Sequence, residues 1–334
     1  RCETLAGGAG GSDTDSLPEQ HQQASSTRRP AAQLSLLGRR FHVVTSMMIL
    51  LKVLDEYLML QEAVPLFGAD MAQRAVQLIK NFNTRTAHLV LGAGAMSSAG
   101  LKSISAKHLA VSCQAIHLLA LLLPRLRSGL VMLVPTQRWP LLLPEFDRVG
   151  QDLSTHMDEI HTKLVDIMQD RLQLAAKQLV AESAGWGEQG GGTSEPSSLI
   201  GDAVRGLVKS LSTLRSVLTP ILQQEEVAYI FGRVASLYSE TLAHALDSLT
   251  PQGEVWEERR KVHTMYLLQC LSEMPMDPSV KSAYTSRLFT FYVKHYGALD
   301  GPNRPSANVS PPKQQEQQQH QEQQQEQQQQ QQQE

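Results

Sequence analysis

The sequence predicts an all-α protein, and three observations support that prediction. Apolar residues recur at three- and four-residue steps along most of the chain, which is the period of helices with one buried face. No run alternates apolar and polar residues for long enough to require a strand. Of the 334 residues, 41% are hydrophobic but only 5% are aromatic, a balance that suits helix packing better than a β-sandwich.

Composition divides the chain into five parts. The ends are low in hydrophobic residues, and the tail is almost pure Gln with scattered Glu, so neither can bury a core. A Gly- and Ser-rich stretch separates two regions of helical periodicity. The predicted parts are a disordered segment (1–33), a helical bundle (34–182), a linker (183–198), a second helical bundle or a continuation of the first (199–296), and a disordered Gln-rich tail (297–334).

Three helices are predicted in the first half of the first bundle. They run from near Leu34 to Pro65, from Asp70 to Gly92, and from Ser103 or Ser105 to about Pro124. The last of them contains the most apolar stretch of the chain, HLAVSCQAIHLLALLLP. This stretch is too short for a membrane span of about 20 residues and carries two histidines, which predicts a buried core helix.

The segment VPTQRWPLLLPEF holds three prolines, which predicts a stiff connector instead of a helix. A long amphipathic helix is predicted after it, with one face formed by Phe146, Val149, Leu153, Met157, Ile160, Leu164, Ile167, Ala175 and Leu179. Its period is near 3.6 residues, which favours a helix in a globular bundle over a coiled coil. Further helices are predicted at 200–218, 227–249, 255–271 and 280–296.

The segment LVLGAGA admits two interpretations. A strand that runs into a glycine turn would bind a dinucleotide phosphate, as in the G-x-G-x-x-G fingerprint. However, Ser97 occupies the third glycine position, and no Asp or Glu follows before Pro144 to hold the ribose. We therefore favour a turn between two helices and expect no cofactor, with a dinucleotide-binding enzyme as the alternative. The turn would use Gly92, Gly94 and Gly100.

Metal-ligating residue types occur on the long helix. Asp152, His156 and Glu159 are spaced at i, i+4 and i+7, but they also fit the solvated face of an amphipathic helix, which we favour. The three cysteines form no CxxC pair, which predicts reduced thiols. We expect no metal, no catalytic nucleophile and no small-molecule substrate.

Charge changes sign along the chain. Residues 71–144 contain eight Lys and Arg and no acids, whereas residues 145–277 contain twenty acids and eleven bases. Either the basic segment faces a membrane or an acidic partner, or the two segments neutralise each other, which we favour. A nucleic-acid partner is not expected, because the basic residues lack interleaved aromatic side chains that would stack on nucleobases. Candidate contact residues for the first possibility are Arg74, Lys80, Arg85, Lys102 and Lys107.

Three segments resemble the carboxy-terminal region of the vacuolar protein sorting-associated protein 54 family. They are FNTRTAHLVLGAGAMSSAGLKSISAKHLA (82–110), DLSTHMDEIHTKLVDIM (152–168) and QQEEVAYIFGRVASLYSETL (223–242). The resemblance covers roughly residues 36–249, and its most specific element is LVLGAGA followed by GLKSIS. Because the sequence starts with Arg1 instead of Met, we expect it to continue a longer protein.

The resemblance implies a noncatalytic subunit of the Golgi-associated retrograde protein (GARP) complex. Such a complex is a tether of stacked helical bundles that captures endosome-derived vesicles at the trans-Golgi network and promotes SNARE-driven fusion. The implied partners are the other tether subunits, SNAREs and small GTPases. The implied location is the cytosolic face of the trans-Golgi network and endosomes, as a peripheral membrane protein. An assembly or transcription scaffold based on the Gln-rich tail is a further alternative.

Overall fold

The computed structural model describes residues 32–92, 104–187, 200–277 and 286–297. In those residues the fold is helical, as predicted, apart from one β-hairpin. Most of each predicted disordered segment and most of the predicted linker lie outside the described residues, although Ala32 and Gln33 belong to a strand. The elements are β1 (Ala32–Leu36), β2 (Arg39–Val43), α1 (Thr45–Ala63), α2 (Gly68–Val90), α3 (Ala106–Met132), α4 (Trp139–Ser183), α5 (Asp202–Leu218), α6 (Gln224–Asp247), α7 (Glu254–Ser272) and α8 (Ser286–Tyr296).

The hairpin corrects the prediction of a helix that begins near Leu34. Strands β1 and β2 pair antiparallel with Leu34 opposite Phe41, and Leu37 (φ 51°) and Gly38 (φ 75°) form the turn. Positive φ at both turn residues is typical of the type I′ turn in tight hairpins. Phe41 and Val43 are buried. The alternation was missed because each strand has only five residues, and Phe41 also fits the helical spacing of the residues after it.

The hairpin is fastened to the turn between α5 and α6. His42 Nε2 lies 2.9 Å from the carbonyl oxygen of Pro220. Gln223 Nε2 donates a hydrogen bond to the carbonyl oxygen of Arg40 at 2.9 Å. The hairpin therefore packs beside residues that follow it by 178 and 183 positions in the sequence.

Pro124 does not end α3, and the last two prolines of the predicted connector lie inside α4. The predicted end of α3 and the predicted start of α4 are therefore corrected. Helix α3 continues through Pro124 to its end eight residues later, and α4 begins at Trp139 and includes Pro140 and Pro144. Pro140 lies in the first turn, where a backbone N–H has no partner in the helix. An interior proline costs about 3 kcal/mol, and burial of Leu126 and Leu130 beyond Pro124 offsets that cost.

Helix α3 is, among the described residues, the one helix long and apolar enough to cross a membrane by length and composition. In its most apolar 18-residue window, 56% of the residues are buried inside the fold, and α2, α4 and β2 pack against it. The predicted core helix is thus confirmed. The argument from its shortness was wrong, because the helix extends past Pro124 to a length of 27 residues.

Helix α4 contributes to two hydrophobic cores. It has 45 residues and is about 67 Å long at 1.5 Å per residue. The first core joins the hairpin, α1, α2, most of α3 and α4 up to Leu153. The second core joins α4 from Ile160 onward to α5–α8 and the start of α3, and Met157 packs against both cores. The described residues of 200–277 and 286–296 therefore share a core with the second half of α4.

The start of α5 is held by two side chains from other helices. Gly201 N–H donates to His263 Nε2 at 2.8 Å, and Ala203 N–H donates to Glu182 Oε1 at 3.0 Å. These bonds satisfy N–H groups that the first turn of a helix leaves without partners. A Cβ atom at Gly201 would overlap the Glu182 carboxylate. Glycine at this position is therefore needed for Glu182 to cap the helix.

We expect Gly201→Ala to lower the free energy of unfolding by about 1 kcal/mol, because Glu182 must give up its capping bond. Gly206→Ala, in the same helix, is the matched control. No atom lies within 4 Å of a Cβ at Gly206, so alanine there should raise the free energy of unfolding by about 0.5–1 kcal/mol. Urea denaturation followed by circular dichroism measures both. In a Glu182→Ala background, Gly201→Ala should no longer lower the free energy of unfolding. An unchanged loss in that background would refute the steric explanation.

Candidate functional site

The predicted basic contact residues have different environments. Lys80 makes an ion pair with Glu145 of α4, so it faces a neighbouring helix. The hydrogen bond from Lys80 and its charge lower the pKa of the Glu145 carboxyl. Lys102 lies outside the described residues. The three others are exposed, namely Arg74 and Arg85 on α2 and Lys107 at the start of α3.

Two ion pairs join the basic segment to the acidic segment that follows it. Besides the pair of Lys80 and Glu145, Arg127 Nη1 lies 2.8 Å from Asp147 Oδ1. Exposed ion pairs of this kind contribute little stability each. They do show that the acidic segment neutralises part of the basic one within the fold.

Gly92 follows the last turn of α2. Its N–H donates to the carbonyl oxygen of Ala87 at 3.2 Å, and a Cβ atom at Gly92 would lie 3.0 Å from the carbonyl oxygen of His88. Leu89 lies inside the helix, whereas the dinucleotide interpretation requires a strand at that position. The helical end of α2 therefore gives no support to a dinucleotide site. The other two glycines of the predicted turn, Gly94 and Gly100, lie outside the described residues.

Asp152, His156 and Glu159 do not share one surface. Asp152 and Glu159 are exposed, but the His156 side chain is only 3% exposed, so the predicted solvated position of His156 was wrong. Its Nδ1–H donates to Asn83 Oδ1 at 2.6 Å, which gives the ring a polar partner inside the bundle. Burial lowers the pKa of His156.

His156 should make the protein less stable at acid pH. Its pKa in the unfolded chain is about 6.5, and burial lowers the pKa in the folded chain. As pH falls, the unfolded chain therefore takes up the proton first, and stability present above about pH 7 declines through pH 6.5 and below. His156→Gln keeps a donor for Asn83 but does not titrate.

We expect His156→Gln to lose less stability than the wild type between about pH 7 and pH 5, measured by urea denaturation at each pH. His88→Gln, an exposed position on α2, is the control and should follow the wild type. Equal pH slopes for the wild type and His156→Gln would show that burial of His156 does not affect proton binding.

A buried polar group, which we name the junction cluster, lies where the two cores meet. Its members come from three helices and the residue before one of them. Cys113 and Gln114 are fully buried, and His161 and Glu226 are 7% and 9% exposed. The junction cluster consists of Cys113, Gln114 and His117 of α3, His161 of α4, and Gln223 and Glu226 at the start of α6.

The Glu226 carboxylate is the centre of the junction cluster. Its Oε2 accepts hydrogen bonds from Gln114 Nε2 at 3.2 Å and from Gln223 N–H at 3.0 Å. Its Oε1 lies 3.0 Å from His117 Nδ1. Burial by itself raises the pKa of Glu226, but the hydrogen bond and charge of His117, the Gln223 N–H and His161 together lower it. The carboxylate is therefore held in its charged form.

Cys113 and His161 lie against this carboxylate. Cys113 Sγ is 3.3 Å from His161 Nε2 and 3.5 Å from Glu226 Oε1. Burial, and then the negative charge of Glu226, raise the pKa of the Cys113 thiol well above its usual value. Burial also lowers the pKa of His161. A neutral thiol is a weak nucleophile, so the geometry does not make Cys113 and His161 a catalytic pair.

Little in the sequence indicates the junction cluster. Its contacts between helices join residues that are 48 to 113 positions apart, and no short motif spans such distances. The available signal was the presence of Cys113, Gln114 and His117 on a helix that is otherwise apolar. Without the fold, that signal does not name the partners on α4 and α6.

Glu226→Gln should lower the free energy of unfolding by about 1–3 kcal/mol, because a charged acceptor that is buried and has several donors is lost. Glu225→Gln is the matched control, since the Glu225 side chain is 72% exposed and lies in the same helical turn. Its stability should stay close to that of the wild type in urea denaturation. If the two substitutions changed the free energy of unfolding equally, the buried hydrogen bonds of Glu226 would contribute nothing to stability.

A second feature is an exposed group of large apolar side chains, which we name the apolar tip. Two connections form it, one between α1 and α2 and one between α3 and α4. They lie side by side, because a Cβ atom at Gly68 would be 3.3 Å from the carbonyl oxygen of Leu133. Leu66, Met132 and Leu141 are 87%, 78% and 79% exposed. The apolar tip consists of Val64, Leu66, Phe67, Met132, Leu133 and Leu141.

The family model described as Vps54-like protein matches residues 38–171. Through these residues, the chain belongs to the Vps54-like family. The matched region extends from the start of the hairpin's second strand to the middle of α4. It contains the whole apolar tip and the junction-cluster residues of α3 and α4.

Relatives of this Vps54-like chain occur in a plant, in animals and in a fission yeast. It is 33% identical over 278 residues to vacuolar protein sorting-associated protein 54, chloroplastic, of Arabidopsis thaliana, which covers 83% of the chain and 26% of the relative. It is 30% identical over 234 residues to the Homo sapiens protein of that name, covering 70% of the chain and 22% of the relative. The chain thus spans about a quarter of the length of these relatives.

Proposed function

We propose that this chain is a helical part of a noncatalytic subunit of a GARP-like vesicle-tethering complex. The complex would act in retrograde transport from endosomes to the trans-Golgi network, on the cytosolic face of these membranes. The match of residues 38–171 to the Vps54-like family carries the proposal. The other tether subunits are the proposed partners, and SNAREs and small GTPases would be engaged by the assembled complex.

The geometry supports a scaffold role. Helix α4 joins two cores into a long helical body, which leaves extended surfaces for other subunits. The buried thiol Cys113 is held neutral, so it does not supply an activated nucleophile. These observations favour a role in binding and positioning over a role in chemistry.

We further propose that the apolar tip is the part that contacts the membrane. Its exposed side chains belong to two neighbouring connections and to the helix ends beside them, where a bilayer interface is able to accept them. Moving apolar surface out of water gains about 25 cal/mol per Å², and an exposed apolar patch on a folded domain marks an interaction site. Arg138, exposed in the connection between α3 and α4, would reach the lipid headgroups.

Vesicle flotation of the full chain tests the membrane contact, with phosphatidylcholine vesicles and with vesicles that also contain phosphatidylserine. We expect Leu66→Asp combined with Met132→Asp to weaken vesicle binding at least about tenfold, because two inserted apolar side chains are lost. Leu174→Asp is the matched control, since Leu174 is 60% exposed on α4 far from the tip, and it should bind as the wild type does.

Salt distinguishes the tip from the exposed basic residues. Binding through apolar side chains should persist at high salt, whereas binding through Arg74, Arg85 and Lys107 should be screened. Binding that disappears at high salt and survives the two tip substitutions would overturn the tip assignment. Co-purification with the other tether subunits tests the scaffold role separately. A tip variant that floats with vesicles but loses those subunits would make the tip a subunit contact.

A further inference from the structure

Three different metal-ligating atoms converge in the junction cluster. Cys113 Sγ, His161 Nε2 and a carboxylate oxygen of Glu226 all lie within 4.8 Å of one another. The separations are 3.3 Å between sulfur and nitrogen, 3.5 Å between sulfur and Oε1, and 3.9 Å between nitrogen and Oε1. Each atom belongs to a different helix, α3, α4 and α6.

These separations match the edges of a tetrahedral zinc site. Zinc binds thiolate sulfur at about 2.3 Å and imidazole nitrogen or carboxylate oxygen at about 2.0–2.2 Å. Tetrahedral angles then place neighbouring ligand atoms about 3.3–3.6 Å apart. Two of the three observed separations fall in that range, and closing the third requires a movement of about 0.3–0.6 Å, which side-chain rotation supplies.

Only one ring nitrogen of His161 has polar neighbours. Its Nε2 faces Cys113 Sγ and Glu226 Oε1, whereas its Nδ1 is buried and has no hydrogen-bond partner among the described residues. The single thiol hydrogen of Cys113 serves either His161 or Glu226 at one time. A cation placed between Sγ, Nε2 and Oε1 would bind all three atoms together, and the imidazole proton would then lie on Nδ1.

We propose that Cys113 Sγ, His161 Nε2 and Glu226 Oε1 bind one divalent cation of the zinc class. Binding releases the thiol proton to solvent, and the thiolate and the carboxylate then balance the two positive charges of the ion. A water molecule completes the four ligands. Sulfur and imidazole ligands favour zinc over magnesium or calcium, which prefer oxygen. Gln114 and the Gln223 N–H hold the other carboxylate oxygen and orient Glu226.

Cobalt(II) is the probe, because a thiolate bound to Co²⁺ gives a charge-transfer absorption band and a four-coordinate site gives visible bands. The full chain has three cysteines, Cys2, Cys113 and Cys270. The double variant Cys2→Ser and Cys270→Ser leaves Cys113 as the sole thiol and serves as the reference protein. We expect it to bind one Co²⁺ per chain with the thiolate band, and Zn²⁺ should displace the cobalt.

Adding Cys113→Ser to the reference protein should abolish the thiolate band and weaken binding at least about tenfold. Glu225→Gln removes an exposed carboxylate and should change neither the thiolate band nor the affinity for Co²⁺. His161→Gln covers the case in which Cys113→Ser does not fold, and Zn²⁺ should raise the Tm of the reference protein but not that of His161→Gln. A folded reference protein without a thiolate band would overturn the proposal. Cobalt binding that is the same with and without Cys113 would do so as well.

Discussion

Helix α4 presents one apolar face to two hydrophobic cores, and the positions of the other described elements follow from it. Phe146 and Leu153 belong to the first core, and Ile160 and Leu164 belong to the second. Because the face is continuous over a single helix of 45 residues, neither set of neighbours is able to leave without exposing a long apolar strip. The body is therefore stiff along α4, which is the property that a tethering scaffold requires.

The junction cluster sits at the level of α4 where the two cores meet, and this location gives it a structural role with or without an ion. A charged carboxylate that is buried and hydrogen-bonded tolerates few displacements of its donors. Glu226 receives donors from α3 and from the residue that precedes α6. The position of α6 against α3 is thereby fixed more tightly than apolar packing would fix it.

The sequence predicts what a single helix determines and misses what separate segments determine together. The face of α4 was predicted, because every contributing residue recurs at helical spacing on one segment. The ends of α3 and α4 were misjudged at Pro124 and Pro144, since burial of residues beyond each proline outweighs the lost backbone hydrogen bond. The hairpin was missed because strands of five residues carry too little alternation. Glu226 was missed because its partners are far away in the sequence.

The contact between the hairpin and the α5–α6 turn has a consequence for how the chain reaches its fold. His42 and Pro220, which are 178 positions apart, must both have left the ribosome before they meet. Phe41 is buried in the finished protein and belongs to the same hairpin. The side of the hairpin that contacts the α5–α6 turn stays uncovered until that turn has been synthesised. Contacts between such distant segments form slowly, and exposed strand edges promote aggregation while they wait. During synthesis, the hairpin therefore lacks its contacts with Pro220 and Gln223 until the turn between α5 and α6 has emerged.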